Sequence, residues 1–591
     1  MKRFLAVSKK DLVKRGIETP DFVLVSGDAY IDHHSFAMAI VGRWLEAFGF
    51  SVGIISQPDF TSCESYKVFG KPKYAFLVSP GNMDSMVNLY TVNKRPRKKD
   101  NYTPGGETGK RPKRASISYS NRIREAYGDV PIIIGGIEPS LRRFAHYDYW
   151  EDKVRNSILF DSGANLLIYG MGEKPLKEIA EYFESGMKAE DMTFIKGTCY
   201  IASSLENVYD YTLQSSAEEV SKDKKKYAES FKIQYRNQDY RNAKSLVQQH
   251  GDKYIVQNPP CEPLSVDEMD TIYSLPFNGQ AHPMYKEHIP ALDEVKFSIT
   301  SSRGCVGGCA FCAINFHQGR EISKRSVKSI VSEAKTMSES EDFKGYIHDV
   351  GGPTANFYEA YCKREGLTPC NRLCLYPDRC KNLNISHEEY LKVLRSVRNL
   401  PKVKKVFIRS GLRFDYMVYD KKSGFIEELA KHHVSGQLRT APEHVSCDVL
   451  ELMNKPGNDL YKEFLKLFEK ADSKAKKNQY VLPYFISSHP GSTLGSAIEL
   501  AEYMNKEGFI PEQVQDFYPT PGTLSTCMYY TGINPLDGKG VYVPRTNEEK
   551  KMQRALLQFN KSKNRALVKK ALIKEKRYDL IGKGKNCLVR E

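Results

Sequence analysis

Residues 295–312 read Val-Lys-Phe-Ser-Ile-Thr-Ser-Ser-Arg-Gly-Cys-Val-Gly-Gly-Cys-Ala-Phe-Cys. The apolar stretch Val295–Thr300 predicts a strand. A glycine-rich loop follows it with Cys305, Cys309 and Cys312 at CxxxCxxC spacing, and then a segment of helical character. Parallel α/β folds carry their chemistry at the carboxyl ends of strands, and the three thiols fall at such an end. A 4Fe-4S cluster normally takes four cysteines. Three on one loop would leave one iron open to a small ligand. Cys309 and Cys312 alone are also a common zinc pair, so a structural zinc is the alternative reading.

Working outward, the rhythm after residue 295 is strand, helix, strand. Predicted strands are 295–300, 345–350, 403–409, 434–439, 480–487 and 514–518. Predicted helices are 326–336, 387–397, 423–431, 460–476 and 494–505. Six strands with helices between them suit a (β/α)6 partial barrel. Upstream, 21–26, 52–56, 74–78, 130–134 and 166–169 predict five more strands, with an amphipathic helix over 36–48. Glycines follow two of these strands directly, at Gly135-Gly136 and at Gly170 and Gly172. That pattern predicts a doubly wound parallel sheet, whose ligands bind beyond the carboxyl edge.

With its cysteine loop on the first barrel strand, the chain resembles the radical S-adenosylmethionine (SAM) superfamily. The front, with Ile132–Gly136 and Tyr169-Gly170-Met171-Gly172-Glu173, is similar to the cobalamin-binding domain of many such enzymes. The combination of Cys305–Ile314, Asp349–Asn356, Leu438–His444 and Tyr518–Thr523 resembles the YgiQ family of radical SAM proteins. The resemblance implies a 4Fe-4S cluster on Cys305, Cys309 and Cys312. It also implies SAM bound near Gly351 and Gly352, and reductive cleavage to a 5′-deoxyadenosyl radical that abstracts hydrogen from a substrate. Pro353 stands where the superfamily usually has an acid, and Asp349 is its candidate replacement. Arg409 and Arg439 are candidates for the SAM carboxylate, and Glu443 for a ribose hydroxyl or the substrate. The nearest match to the cobalt-ligand motif Asp-x-His-x-x-Gly is Asp32–Ala37, with His34 in the ligand position. Ala37 replaces the glycine, so cobalamin binding is not expected and His34 reads as a loop or site-wall histidine. The alternatives are cobalamin-assisted methyl transfer, or an iron–sulfur or zinc protein that binds nucleic acid without cleaving SAM.

Cys362, Cys370, Cys374 and Cys380 fall within nineteen residues, beside Pro369 and Pro377. They are candidates for a second cluster or a zinc. The net charge of +16 comes almost wholly from 91–115 (+7) and 551–591 (+10). Two basic stretches on a neutral body suggest RNA as partner or substrate. The other expected partner is an electron donor such as flavodoxin or ferredoxin. No apolar run is long enough to cross a bilayer, and the start lacks the apolar core of a secretion signal, so the expected location is cytoplasmic. The expected domains are an α/β domain over 1–204 with a mobile basic insertion at 92–117, and a helical and extended bridge over 205–290. The barrel follows over 291–545, and a basic helical tail over 546–591.

Overall fold

The computed structural model describes residues 3–364, 370 and 372–590, so Met1, Lys2, Pro369 and Glu591 lie outside it. The β-branched runs of the front pair as strands. Val52–Ser56, Phe22–Ser26, Ala75–Ser79, Ile132–Gly135 and Leu166–Ile168 lie side by side in that order, all parallel. Alternation sends Phe22 and Leu24 into one core and Val23 and Val25 into another. Both faces are therefore covered, as crossover helices require. Helix Ala37–Ala47 packs Ala39 and Leu45 on the first face, and helix Ala115–Tyr127 packs Tyr119 and Ile123 on the second.

The sheet does not stop at residue 204. Thr198–Ala202, Lys253–Gln257, Ser245–His250 and Tyr211–Leu213 extend it to nine strands. Segment 205–290 is thus no bridge but mostly part of the first domain. Its hairpin turns at Gly251, whose φ of 62° is the conformation a tight hairpin asks for. Helix Val266–Ser274 buries Met269 and Ile272 against Ile40 and Trp44. The insertion at 92–117 is packed down rather than free. Arg111 is fully buried and donates to Asp28 Oδ1 at 2.7 Å and Asp100 Oδ2 at 3.2 Å. Its stretches 93–99 and 107–110 are exposed throughout.

The barrel strands are Ser298–Thr300, Asp349–Gly351, Lys405–Val406, Gln437–Glu443, Tyr480–Ser487 and Gln515–Asp516. The first pairs with the second in parallel, Tyr346–Ile347 pairs with the third, and the last three pair in sequence. Ile299, Val350, Val406 and Leu438 form its core with Ile330, Leu391, Leu394 and Phe464 of the surrounding helices. Helix Leu494–Glu507 starts with a capping box at Thr493 and stops at Gly508 in the left-handed region. The basic tail docks on it. Helices Asn547–Leu556 and Arg565–Lys574 bury Met552, Leu556, Val568 and Leu572 against Leu494, Ile498 and Ala501. Part of its charge is spent internally, Arg554 on Asp516, Lys570 on Glu548 and Arg577 on Glu502.

Candidate functional site

Beyond the first barrel strand the chain enters the cysteine loop, and two glycines let it turn there. Gly304 sits at φ +85°, where a Cβ would fall 1.8 Å from the Glu321 carbonyl oxygen. Gly308 sits at φ +66°, where a Cβ would meet Leu373 at 2.7 Å. Neither position admits a side chain. The loop is then pinned to the barrel. The Ala310 amide donates to the Met453 carbonyl at 3.0 Å, and Asn454 Nδ2 donates to the Gly308 carbonyl at 3.1 Å.

Cys305, Cys309 and Cys312 are free, half-buried thiols held in one another's field. Burial, then Cys309 and Cys305, pushes Cys312 up to about 12. Donors surround the sulfurs. The Gly307 amide approaches Cys305 Sγ at 3.4 Å, Thr354 Oγ1 lies 3.5 Å from it, and Arg413 Nη1 donates to Cys309 Sγ at 3.3 Å. Such donors suit an anionic thiolate-bound cluster. Among the described residues, no three His, Cys, Asp or Glu groups gather as ligands of a single ion.

Arg413 was not legible as a site residue. It is buried, and Asp415, wholly buried two residues on, holds its guanidinium through Nε to Oδ1 at 2.9 Å. Glu443 joins the same neighbourhood at the end of the fourth strand. A shift in strand register between Thr440 and Glu443 sets it there at φ 71°. Burial raises its carboxyl above the usual range, against the pull of Lys455 and Arg413. Arg439 is not gathered in. Its strand neighbours Leu438 and Thr440 are buried, so alternation puts Arg439 on the other face, where it is exposed.

Gly351 and Gly352 allow close approach, in the first place of the protein to itself. A Cβ on Gly351 would lie 2.5 Å from Ser410 Oγ, and one on Gly352 2.5 Å from the Ser302 carbonyl. Asp349 Oδ1 accepts from the amides of Arg409 (2.8 Å) and Ser410 (3.1 Å). Its carboxylate is therefore occupied in tying the second and third strand ends together, which weakens it as a stand-in for the missing acid. Gly351, Gly352, Asp349 and Arg409 nevertheless line a cavity of about 730 Å³. Its opposite wall is the carboxyl edge of the front sheet, at Ser79, Gly135, Gly136, Gly170 and Gly172, with His34 and Ala37 beside it.

His34 Nε2 lies 2.7 Å from Glu333 Oε1, across the junction of sheet domain and barrel. Arg325, buried, pairs with the other oxygen of Glu333. Burial alone would raise the Glu333 carboxyl, but His34 and Arg325 hold it at about 2, below the ordinary 4.5. The stabilisation is complete above pH about 4.5 and is lost as pH falls towards about 2, on the order of 3 kcal/mol. Urea midpoints followed through that window should fall more steeply in the wild-type protein than in Glu333→Gln.

A second junction contact involves a residue to which the sequence reading gave no role. Arg303, just ahead of the cysteine loop, pairs with Glu173 of the front domain. The Gly-Met-Gly-Glu run was a signal for this acid, but nothing local marks Arg303 as its partner. Cys362, Cys370, Cys374 and Cys380 lie on a neighbouring loop; Cys374 and Cys380 pack, as Cys305 does, against a small core around Val306 and Phe357.

Comparison with known proteins gives three family matches along the chain. Radical SAM N-terminal covers residues 4–298, Radical SAM superfamily covers 299–504, and a domain of unknown function, DUF3362, covers 512–591. The last begins well before the expected tail boundary at 546. A UPF0313 protein of Clostridium botulinum (strain ATCC 19397 / Type A) is 57% identical over 590 residues, 99% of this chain and 92% of that protein. One from Clostridium perfringens (strain 13 / Type A) is 56% identical, over 100% of this chain and 90% of its own length. Among solved structures, the radical SAM methyltransferase TsrM from Kitasatospora setae, with cobalamin and a 4Fe-4S cluster bound, gives a TM-score of 0.49. The identity is 14%, over 86% of this chain and 79% of that one. The cobalamin-dependent radical SAM enzyme OxsB with aqua-cobalamin bound gives 0.48 at 12% identity, over 88% and 56%.

Proposed function

The chain belongs to the UPF0313 family and carries a radical SAM domain, and on that premise we propose that it is an enzyme that cleaves SAM reductively at a cluster on Cys305, Cys309 and Cys312. The observation that carries this reading is the set of three half-buried thiols with no fourth cysteine in the loop, ringed by the Gly307 amide, Thr354 and Arg413. A cluster held by Cys305, Cys309 and Cys312 would supply the electron for reductive cleavage of SAM to a hydrogen-abstracting radical.

The protein's part is orientation and exclusion of water. Gly351 and Gly352 offer backbone at the cavity wall, and Arg409 offers an exposed guanidinium beside them for a carboxylate. The front domain closes the cavity from the other side and keeps the radical from solvent. Arg413 holds positive charge against Cys309, which favours the reduced cluster. Exchanging the pair for neutral groups, Arg413→Gln with Asp415→Asn, leaves the net charge unchanged but removes the charged donor to Cys309, and should lower the cluster's reduction potential. A redox titration followed by electron paramagnetic resonance checks this, and an unchanged potential removes the role.

The test of the main reading is anaerobic incubation of reconstituted protein with SAM and dithionite. Release of 5′-deoxyadenosine is expected; intact SAM together with tight RNA binding would favour the non-catalytic alternative. RNA as substrate draws less support than the composition suggested, because Arg111, Arg114, Arg554, Lys570 and Arg577 already have carboxylate partners.

A second reading, cobalamin-assisted methyl transfer, is favoured by the cavity itself. It lies at the carboxyl edge of a parallel sheet, where such folds take ligands, and Ala37 lines it without blocking it. The expectation that cobalamin does not bind therefore has no structural basis. Corrinoid quantified in protein purified from supplemented cells decides between the two.

No helix of the described residues is long and apolar enough to cross a membrane.

A further inference from the structure

We propose that Cys362, Cys370, Cys374 and Cys380 bind a second, fully cysteine-ligated iron–sulfur cluster next to the SAM-cleaving site. Backbone pairing draws in Cys362, Cys374 and Cys380, and Cys370 lies in the field of the same group. Cys362 forms an antiparallel bridge with Leu383, the Lys363 amide donates to the Asn382 carbonyl at 2.7 Å, and the Cys380 amide donates to the Cys374 carbonyl at 2.9 Å. Cys362, Cys370 and Cys380 all act electrostatically on the Cys374 thiol. All four are free, Cys362 exposed and the other three half-buried.

The chemistry around them is that of a masked anion. Arg364 hydrogen-bonds the Cys362 thiol and lies in the field of Cys370 and Cys380, and Arg320 acts on Cys374. Residues 362–381 carry five Lys or Arg against two acids. Four thiolates on one loop would repel one another unless cations or a metal centre balanced them. Among the described residues of the loop, Leu375 and Leu383 are buried, packed with Val306 and Phe357. A centre that crosslinks the loop adds to the stability of this packing.

Position gives the centre its use. Leu373, directly before Cys374, touches Gly308, directly before Cys309. The two ligand loops are therefore in van der Waals contact, with Cys305 and Cys374 packed on the same small core. An electron entering from a low-potential protein donor at the exposed Cys362 side would pass inward to the first site with no bond made or broken. This relay rests on the function proposed above; the binding site does not.

Iron, sulfide and zinc counted in anaerobically reconstituted wild-type protein, with Mössbauer spectra, decide the matter without a variant. About eight irons per chain are expected, and about four would overturn the proposal. In a variant with alanine at 305, 309 and 312, about four irons should remain, with a spectrum that SAM does not alter. Loss of all iron from that variant while it stays folded by circular dichroism, or one equivalent of zinc in place of iron, would also overturn it. Failure of SAM cleavage with eight irons present would count against the function and leave this site standing.

Discussion

With Cys305, Cys309 and Cys312 replaced by alanine, release of 5′-deoxyadenosine from SAM under dithionite is expected to fall to that of a protein-free blank. The loss should be on the order of a thousandfold or more, because the electron source is removed rather than a contact weakened. The substitution should spare the fold. The loop's course is set by Gly304 and Gly308, by the bond from the Ala310 amide to the Met453 carbonyl and by the one from the Asn454 side chain to the Gly308 carbonyl, none of which uses a sulfur. Urea midpoints of the apo proteins should therefore agree within about 1 kcal/mol. Turnover surviving in the triple variant would mean that SAM meets its electron elsewhere, and the second cysteine group would become the first suspect.

What the sequence made legible follows from where information is local. The five front strands are β-branched runs buried on both faces, so Phe22–Ser26 or Ile132–Gly135 needs no partner to be recognised. The barrel helices were equally plain, because each has a single apolar stripe. The strands at 211–257 were missed because they lie beyond the parallel part, pair largely antiparallel, and lack both a continuous apolar run and a clean alternation, as in Ser245–His250. Charge misled in the same way. Arg111 reads as one more cation in a basic insertion, yet Asp28, eighty-three residues away, buries it. At the site, the cysteines were legible from spacing alone. Arg413 was not, since its meaning comes from Cys309, more than a hundred residues upstream. Arg409 and Arg439 looked alike as strand-end arginines. Only strand parity and the packing of Leu438 and Thr440 separate them, one beside the cavity and the other away from its wall.

The Arg303–Glu173 pair should be the most sensitive point of the junction between the two domains. Both side chains are less than a tenth exposed. Arg303 also donates through Nε to the Tyr273 hydroxyl at 3.1 Å and stacks over that ring. Glu173→Ala strands a buried guanidinium, a loss expected to cost about 3–5 kcal/mol, whereas exchanging both partners for methionine should come close to neutral. Glu173→Gln isolates the charge, since the backbone carbonyl of residue 173 still accepts from Trp44 Nε1 in that variant. The effect should reach the chemistry as well. Arg303 immediately precedes Gly304 and Cys305, so loosening it frees the entrance of the cluster loop, and iron loading should fall with stability in Glu173→Ala and recover in the double methionine variant. Denaturant midpoints and iron content measured on the same four proteins test this together. A Glu173→Ala protein as stable and as iron-rich as the wild type would show that the cysteine loop holds its shape without the front domain.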